Sequence, residues 1–86
     1  MPRAAKHIPE PQPFPTVGSV WRPYPYNTDR RVQVQEIDPL RKKIGIRNVY
    51  KARDSWCIQM SSHRVWRDFG KFDGSSRQSH YAYVEG

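Results

Sequence analysis

The chain has 86 residues, of which 36% are hydrophobic, and 15 Lys and Arg against 8 Asp and Glu give a formal net charge of +7. This length predicts one small domain and excludes a large enzyme or a two-domain protein. No apolar run reaches the roughly 20 residues that a membrane-spanning helix needs, so we expect no membrane segment and a cytoplasmic location. The single cysteine, Cys57, excludes an internal disulfide,.

Residues 1–16 differ in composition from the rest and hold five of the eight prolines. Each proline ring fixes φ and removes a backbone donor, which excludes a helix or a central strand. We expect a flexible, Pro-rich N-terminal arm of polyproline II character. Its first six residues include basic side chains, but no apolar stretch follows them, so we expect no secretory signal,. Two alternatives remain open: the arm docks onto another protein, or Phe14 packs back onto its own domain.

The next segments predict two strands separated by a loop. Residues 18–22 are typical of a strand that stops at Pro23, and the Pro, Asn and Asp of residues 24–29 indicate a loop,. Residues 30–37 then alternate between apolar and polar side chains. This period of two places Val32 and Val34 on the buried face of a second strand.

Two further strands are predicted in the middle of the chain. A turn at Asp38 and Pro39 leads into residues 43–50, where Ile44 and Ile46 alternate with polar residues,. Residues 55–60 alternate again, with Trp56, Ile58 and Met60 predicted to point inward. The candidate core residues are Val32, Val34, Ile44, Ile46, Trp56, Ile58 and Phe69.

The end of the domain predicts a helical turn and a closing strand. Val65, Phe69 and Phe72 are spaced i, i+4 and i+7, which suits one or two turns of α or 3-10 helix,. A Ser-Ser pair precedes them and offers helix-capping hydroxyls. Residues 79–84 alternate weakly and predict the last strand.

These elements predict an all-β domain over residues 17–86: a small five-stranded SH3-like barrel with one short helical (3-10 or α) turn before the last strand. Closing the sheet removes the exposed strand edges that a short all-β chain would otherwise present. A five-stranded OB-fold barrel is the main alternative, but its helix falls between the third and fourth strands.

Four stretches of the chain resemble small SH3-like proteins of bacteriophages and prophages. They are Val17-Gly18-Ser19-Val20-Trp21-Arg22, Arg30-Arg31-Val32-Gln33-Val34, Ile44-Gly45-Ile46-Arg47-Asn48 and Val65-Trp66-Arg67-Asp68-Phe69. The resemblance implies the SH3-like fold and, for a phage-encoded chain, the host cytoplasm. At the level of the fold it extends to Tudor-like and KOW-like domains, which bind methylated peptides, RNA or polymerase. Since the matching residues are barrel-core positions, they imply a fold rather than a function.

Catalytic motifs are not evident in the sequence. The carboxylates are scattered and fall mostly in predicted turns, and the glycines stand alone rather than in a phosphate-binding loop,. His63, His80 and Cys57 lack the spacing of zinc ligands. We therefore expect a protein that is not an enzyme and that uses no cofactor, metal or small-molecule substrate.

The positive charge predicts a nucleic-acid partner. Residues 17–54 contain nine basic and four acidic residues, and several basic and amide side chains alternate outward on the second and third strands. Basic groups attract phosphates and release counterions, and glutamine bonds base edges. The candidate contacts to DNA or RNA are Arg31, Gln33, Gln35, Arg41, Lys42, Lys43 and Arg47. The alternative is a solvated polar face that only keeps the protein soluble.

Tyr24 and Tyr26 in the first loop add a possible aromatic site. Tyrosine rings stack on unpaired bases, which would support nucleic-acid binding. The alternative function is a protein-protein interaction module or a host-protein inhibitor, in which this aromatic loop and the Pro-rich arm contact a host or phage protein. The salt dependence of binding distinguishes the nucleic-acid function from the protein-interaction function, because only a phosphate binder loses affinity steeply as salt concentration rises.

Overall fold

A computed structural model describes residues 13–72 and 80–86. Within these ranges the fold is mostly β, with six strands and one short 3-10 turn, so the all-β prediction is confirmed while the predicted number of five strands is not. The elements are β1 (Val20–Pro23), β2 (Arg31–Asp38), β3 (Lys43–Ala52), β4 (Ser55–Ile58), β5 (Val65–Asp68), the 3-10 turn Phe69–Lys71 and β6 (Tyr81–Glu85).

The strands form one open antiparallel sheet in the order β4-β3-β2-β1-β6, and β5 also pairs with β3. β3 carries two partners on one edge because it is ten residues long. Its first residues, from Lys43 to Ile46, pair with β5, and its last, from Val49 to Ala52, pair with β4. Side chains join the outer strands: Arg67 Nε donates to Tyr81 Oη over 3.3 Å.

Residues 59–64 leave the sheet between β4 and β5 and pass beside only two residues of β3, Arg47 and Asn48. Side-chain and backbone hydrogen bonds hold this excursion in place. The Asn48 N–H donates to Ser62 Oγ over 2.7 Å, and Arg47 Nη2 donates to the Ser62 carbonyl over 2.8 Å. Because these groups replace the missing strand pairing, the excursion is fixed to the sheet and holds His63 beside β3.

The main core is built on one face of the sheet. Its buried members are Trp21, Val32, Val34, Ile44, Ile46, Phe72 and Tyr81. Phe72 closes it, stacking on Tyr81 with ring centroids 4.6 Å apart and meeting Trp21 edge-on at 5.2 Å. Four of the candidate core residues are thus buried as predicted, and Phe69 is partly buried against the same cluster.

Trp56 and Ile58 are not in this core, and Met60 is 95% exposed. The register explains the error. Trp56 lies opposite Lys51 and Ile58 opposite Val49, whereas the core residues of β3 are its even-numbered isoleucines. Residues directly opposite one another share a face, so β4 turns these side chains away from the main core.

The predicted helix around residue 65 is also wrong. Val65–Asp68 is strand β5, and only Phe69–Lys71 forms a helical turn, of the 3-10 type. An isolated helix of two turns is marginal in water, whereas a strand here pairs with the free edge of β3. The predicted helical turn before the last strand is therefore confirmed in its position, but it is shorter.

The end of the predicted N-terminal arm is packed on the domain. Pro15 is fully buried, and the Phe14 ring meets Phe69 edge-on at 5.2 Å. Residues 1–12 of that arm, and the predicted loop and strand start within residues 73–79, lie outside the described residues.

Candidate functional site

The basic and amide residues predicted on β2 and β3 do share a face, but their side chains are engaged within the domain. Gln33 lies opposite Arg47. Arg31 donates to two backbone carbonyls, those of Thr28 at 2.9 Å and Arg30 at 2.8 Å. Gln33 donates to the Gly18 carbonyl and accepts from Gln35 at 3.1 Å. These bonds occupy part of the hydrogen-bonding capacity of Arg31, Gln33 and Gln35.

The other predicted contacts lie at the far end of the β2–β3 hairpin. Arg41 is exposed, with 82% of its side chain accessible, and it forms a 3.9 Å ion pair with Asp38. Lys42 has a φ of 56° and closes the turn, while Lys43 pairs with Asp68. The two ends of β2, at Arg31 and Asp38, are seven residue steps apart, which corresponds to about 23 Å. The seven predicted residues therefore do not form one patch.

The predicted aromatic pair forms, but only one ring is available. Tyr24 and Tyr26 meet edge-on with centroids 5.3 Å apart. Tyr24 is 39% exposed, whereas Tyr26 is 8% exposed. Burial, followed by the neighbouring Tyr24, raises the pKa of the Tyr26 hydroxyl. This loop offers one half-exposed ring rather than the predicted two-ring platform.

The structure brings a different set of cationic side chains together around β5. The first concavity, called here the arginine pocket, has a volume of about 40 Å³. Its apolar lining consists of Val32, Ile46 and Val65. Its polar lining is Arg30, Arg47, Asn48, His63, Arg67 and Tyr81. Three guanidinium groups and an imidazole therefore surround a small cavity whose described lining holds no carboxylate.

The second concavity, called here the β5 groove, is wider, at about 370 Å³. It is lined by Lys43, Trp66, Arg67, Asp68, Lys71 and His80. Arg67 lines both concavities, so the two are adjacent. Lys43 binds Asp68, and the other cations that line the groove are Arg67 and Lys71.

Trp66 forms an exposed wall of the groove. It lies opposite Gly45 in the register and is 40% exposed. A Cβ at Gly45 would stand 3.2 Å from the indole ring, so the glycine lets the ring lie close to the sheet. Arg64 stands over the same ring at 5.9 Å and also pairs with Glu36. The ring is held in place yet keeps accessible surface.

The electrostatics of the groove are those of a cationic surface. Partial desolvation, followed by the charges of Lys71 and Arg67, lowers the pKa of His80. The hydrogen bond from Lys43, together with its charge and that of Lys71, lowers the pKa of Asp68. Lys71 thus contributes to both shifts in the direction that a nearby positive charge produces,.

Sequence reasoning missed most of these residues. Arg30, His63, Trp66, Arg67, Lys71 and His80 were not candidates because the helical interpretation of residues 65–72 hid their common location. The pair Val65-Trp66 was the available signal for a strand, since β-branched and aromatic residues are enriched in strands.

Residues 13–72 and 80–86 contain no group of three or more His, Cys, Asp or Glu side chains arranged to hold a metal ion. Among the same residues, no helix has the length and apolar character to cross a membrane.

Comparison with known proteins gives no relative for this chain: no family model, curated protein or solved structure matches it.

Proposed function

We propose that this chain is a small, non-catalytic protein that binds DNA or RNA through the β5 groove. The observation that carries the proposal is the combination of cations, a half-exposed indole and an open concavity in one place. Phosphates bind the cations, and the gain includes the release of counterions. The proposal keeps the predicted ligand class but moves the surface from the face of β2 and β3 to β5.

The indole favours unpaired nucleic acid. Trp66 presents accessible ring surface beside Arg67 and Lys71, and every base has a face that stacks on an aromatic ring. A base of an intact duplex is already stacked on its neighbours. A single strand that follows the groove would place its backbone on the cations and one base on Trp66.

The arrangement supports binding rather than chemistry. The groove offers ammonium, guanidinium, imidazole and indole groups, and its carboxylate, Asp68, is bound to Lys43. General acid-base chemistry needs a nucleophile or an acid positioned next to a base. The side chains that line the groove are instead suited to hold an anion and a ring.

For the fold we propose a small SH3-like barrel of the phage type. Three features support this: the strand order β6-β1-β2-β3, the 3-10 turn before the last strand, and the side-chain contacts between the outer strands. The proposed barrel has five strands because β4 and β5 pair with the same edge of β3 and are counted as one strand, which residues 59–64 interrupt.

Intrinsic fluorescence tests the role of Trp66. Adding a single-stranded oligonucleotide should quench the protein's fluorescence, and Trp66→Leu should abolish that change. Since stacking of one base on an aromatic ring contributes about 1–3 kcal/mol, the substitution should weaken binding by about 5- to 150-fold.

Trp56→Leu is the matched control, because Trp56 is also a half-buried indole on an edge strand. It should retain both quenching and affinity. Unchanged quenching and affinity in Trp66→Leu would contradict the proposed site, and loss in both variants to the same extent would do so as well.

A further inference from the structure

We propose that the arginine pocket is a second site, which binds one phosphate monoester group as its dianion. The pocket is separate from the path along the β5 groove and shares only Arg67 with it. The proposal does not depend on binding of a strand in the groove, since it concerns one small anion.

The size of the pocket selects the ligand. A water needs about 10–15 Å³ of such volume, so the cavity of about 40 Å³ has room for about three waters. A tetrahedral oxyanion fits this space, whereas a nucleobase is too large. An anion would also lie against an apolar lining, where water screens its charge less than on an open surface.

The donors around the cavity are incompletely used. Each guanidinium has five N–H donors. Arg30 donates from Nε to Asn48 Oδ1 over 3.3 Å, and Arg67 donates to Tyr81 and to the Trp66 carbonyl. Arg47 donates from Nη2 to Ser62, but its Nε is buried without a hydrogen-bond partner in the described part of the chain.

The Arg47 Nε atom is a buried donor without a partner among the described residues. A buried polar group without a partner costs about 1–3 kcal/mol, and few occur in native structures. Arg47 lines the pocket together with Arg30 and Arg67. An anion here would meet the remaining donors of three guanidinium groups.

Charge favours a monoester over the diester of a continuous strand. Three arginines line the cavity. A monoester carries about −1.5 to −2 at neutral pH, and Arg binds its oxygens in pairs, whereas a diester carries a single charge. Two sources supply this chemistry: the terminal phosphate of an oligonucleotide, and free phosphate or a mononucleotide.

The first arm of the test compares oligonucleotides of one sequence with a 5′-phosphate, a 3′-phosphate or only hydroxyl ends. Fluorescence anisotropy with the full chain should show about tenfold tighter binding of one phosphorylated form, which corresponds to about 1.4 kcal/mol. Arg30→Gln should reduce that ratio to about twofold or less, because Arg30 lines the pocket and not the groove.

Arg53→Gln is the matched control, since Arg53 is an exposed arginine in the β3–β4 turn; it should keep the full ratio. His63→Gln is a second pocket variant at an exposed position. It should also lower the ratio, so the test does not depend on one substitution that fails to fold.

The second arm titrates inorganic phosphate against chloride at constant ionic strength and follows the arginine Nε–Hε signals by NMR. Shifts at Arg30, Arg47 and Arg67 support the proposal and indicate free phosphate as a sufficient ligand. A terminal-phosphate preference without these shifts supports it and indicates the oligonucleotide end. Equal binding of all oligonucleotides together with no phosphate-specific shift overturns it, and leaves the groove proposal standing if the oligonucleotides still bind.

Discussion

The salt dependence of oligonucleotide binding should fall when two of the cations that line the β5 groove, Arg67 and Lys71, are removed. The perturbation is the double variant Arg67→Gln/Lys71→Gln. Each phosphate contact with a single strand contributes about 0.7 to the slope of log K against log salt. Lys43 is not counted because it is paired with Asp68. Loss of two contacts should therefore reduce the slope by about 1.4.

This change is large enough to measure by fluorescence anisotropy. Between about 50 and 200 mM salt, the original chain should lose about sevenfold more affinity than the double variant. Lys51→Gln/Arg53→Gln removes the same charge at the opposite end of β3 from Lys43 and should keep the original slope. Equal slopes in all three proteins would refute the reasoning, because Arg67 and Lys71 would then make no phosphate contact. An equal decrease in both double variants would also refute it, because net charge alone would then account for binding.

Three further predictions concern stability and pH. Ile46→Ala should lower the free energy of unfolding by about 2–5 kcal/mol, because Ile46 is 4% exposed. Ile58→Ala should lower it by less than about 1 kcal/mol. Chemical denaturation measures both losses, and equal losses would contradict the assigned register. Ser19→Ala should lower the free energy of unfolding by about 1–3 kcal/mol. It removes Ser19 Oγ, which accepts a hydrogen bond from the buried Trp21 Nε1 over 2.9 Å. An unchanged denaturation midpoint would contradict this contact. The pKa of His80 is lowered in the folded chain, so the unfolded chain binds more protons below the ordinary pKa of about 6.5. Stability should therefore fall as pH drops from about 6.5 through the lower folded pKa. A bound oligonucleotide should raise the pKa of His80. Proton NMR of the imidazole checks the pKa, and an unchanged value on binding would place the strand elsewhere.

Much of the sheet was predictable because period-two alternation reports burial directly. Val32, Val34, Ile44 and Ile46 alternate with polar residues, and all four are buried. The alternation of residues 55–60 predicts a strand equally well, but not which face it buries. That face depends on the register against β3, which is set by the short turn at Arg53 and Asp54, and a shift of one residue reverses every side chain.

The candidate site was less predictable because it depends on contacts between distant segments. The ligand class was inferred from charge, which composition reports, but the location was inferred from one hairpin. The arginine pocket joins Arg30, Arg47 and Arg67, and their proximity follows from the pairing of β5 with β3. Apolar spacing at i, i+4 and i+7 favoured a helix for residues 65–72, although available pairing with a neighbouring strand outweighs so short a helical pattern.

The central claim, that nucleic acid binds in the β5 groove, is tested most directly by a ¹⁵N amide NMR titration with a single-stranded oligonucleotide at low and moderate salt. The account predicts shifts over residues 65–71 and at His80 that weaken as salt rises, with little change over residues 31–35. Shifts centred on residues 31–35 would restore the strand face as the binding surface and contradict this location. No shifts at low salt would contradict nucleic-acid binding itself.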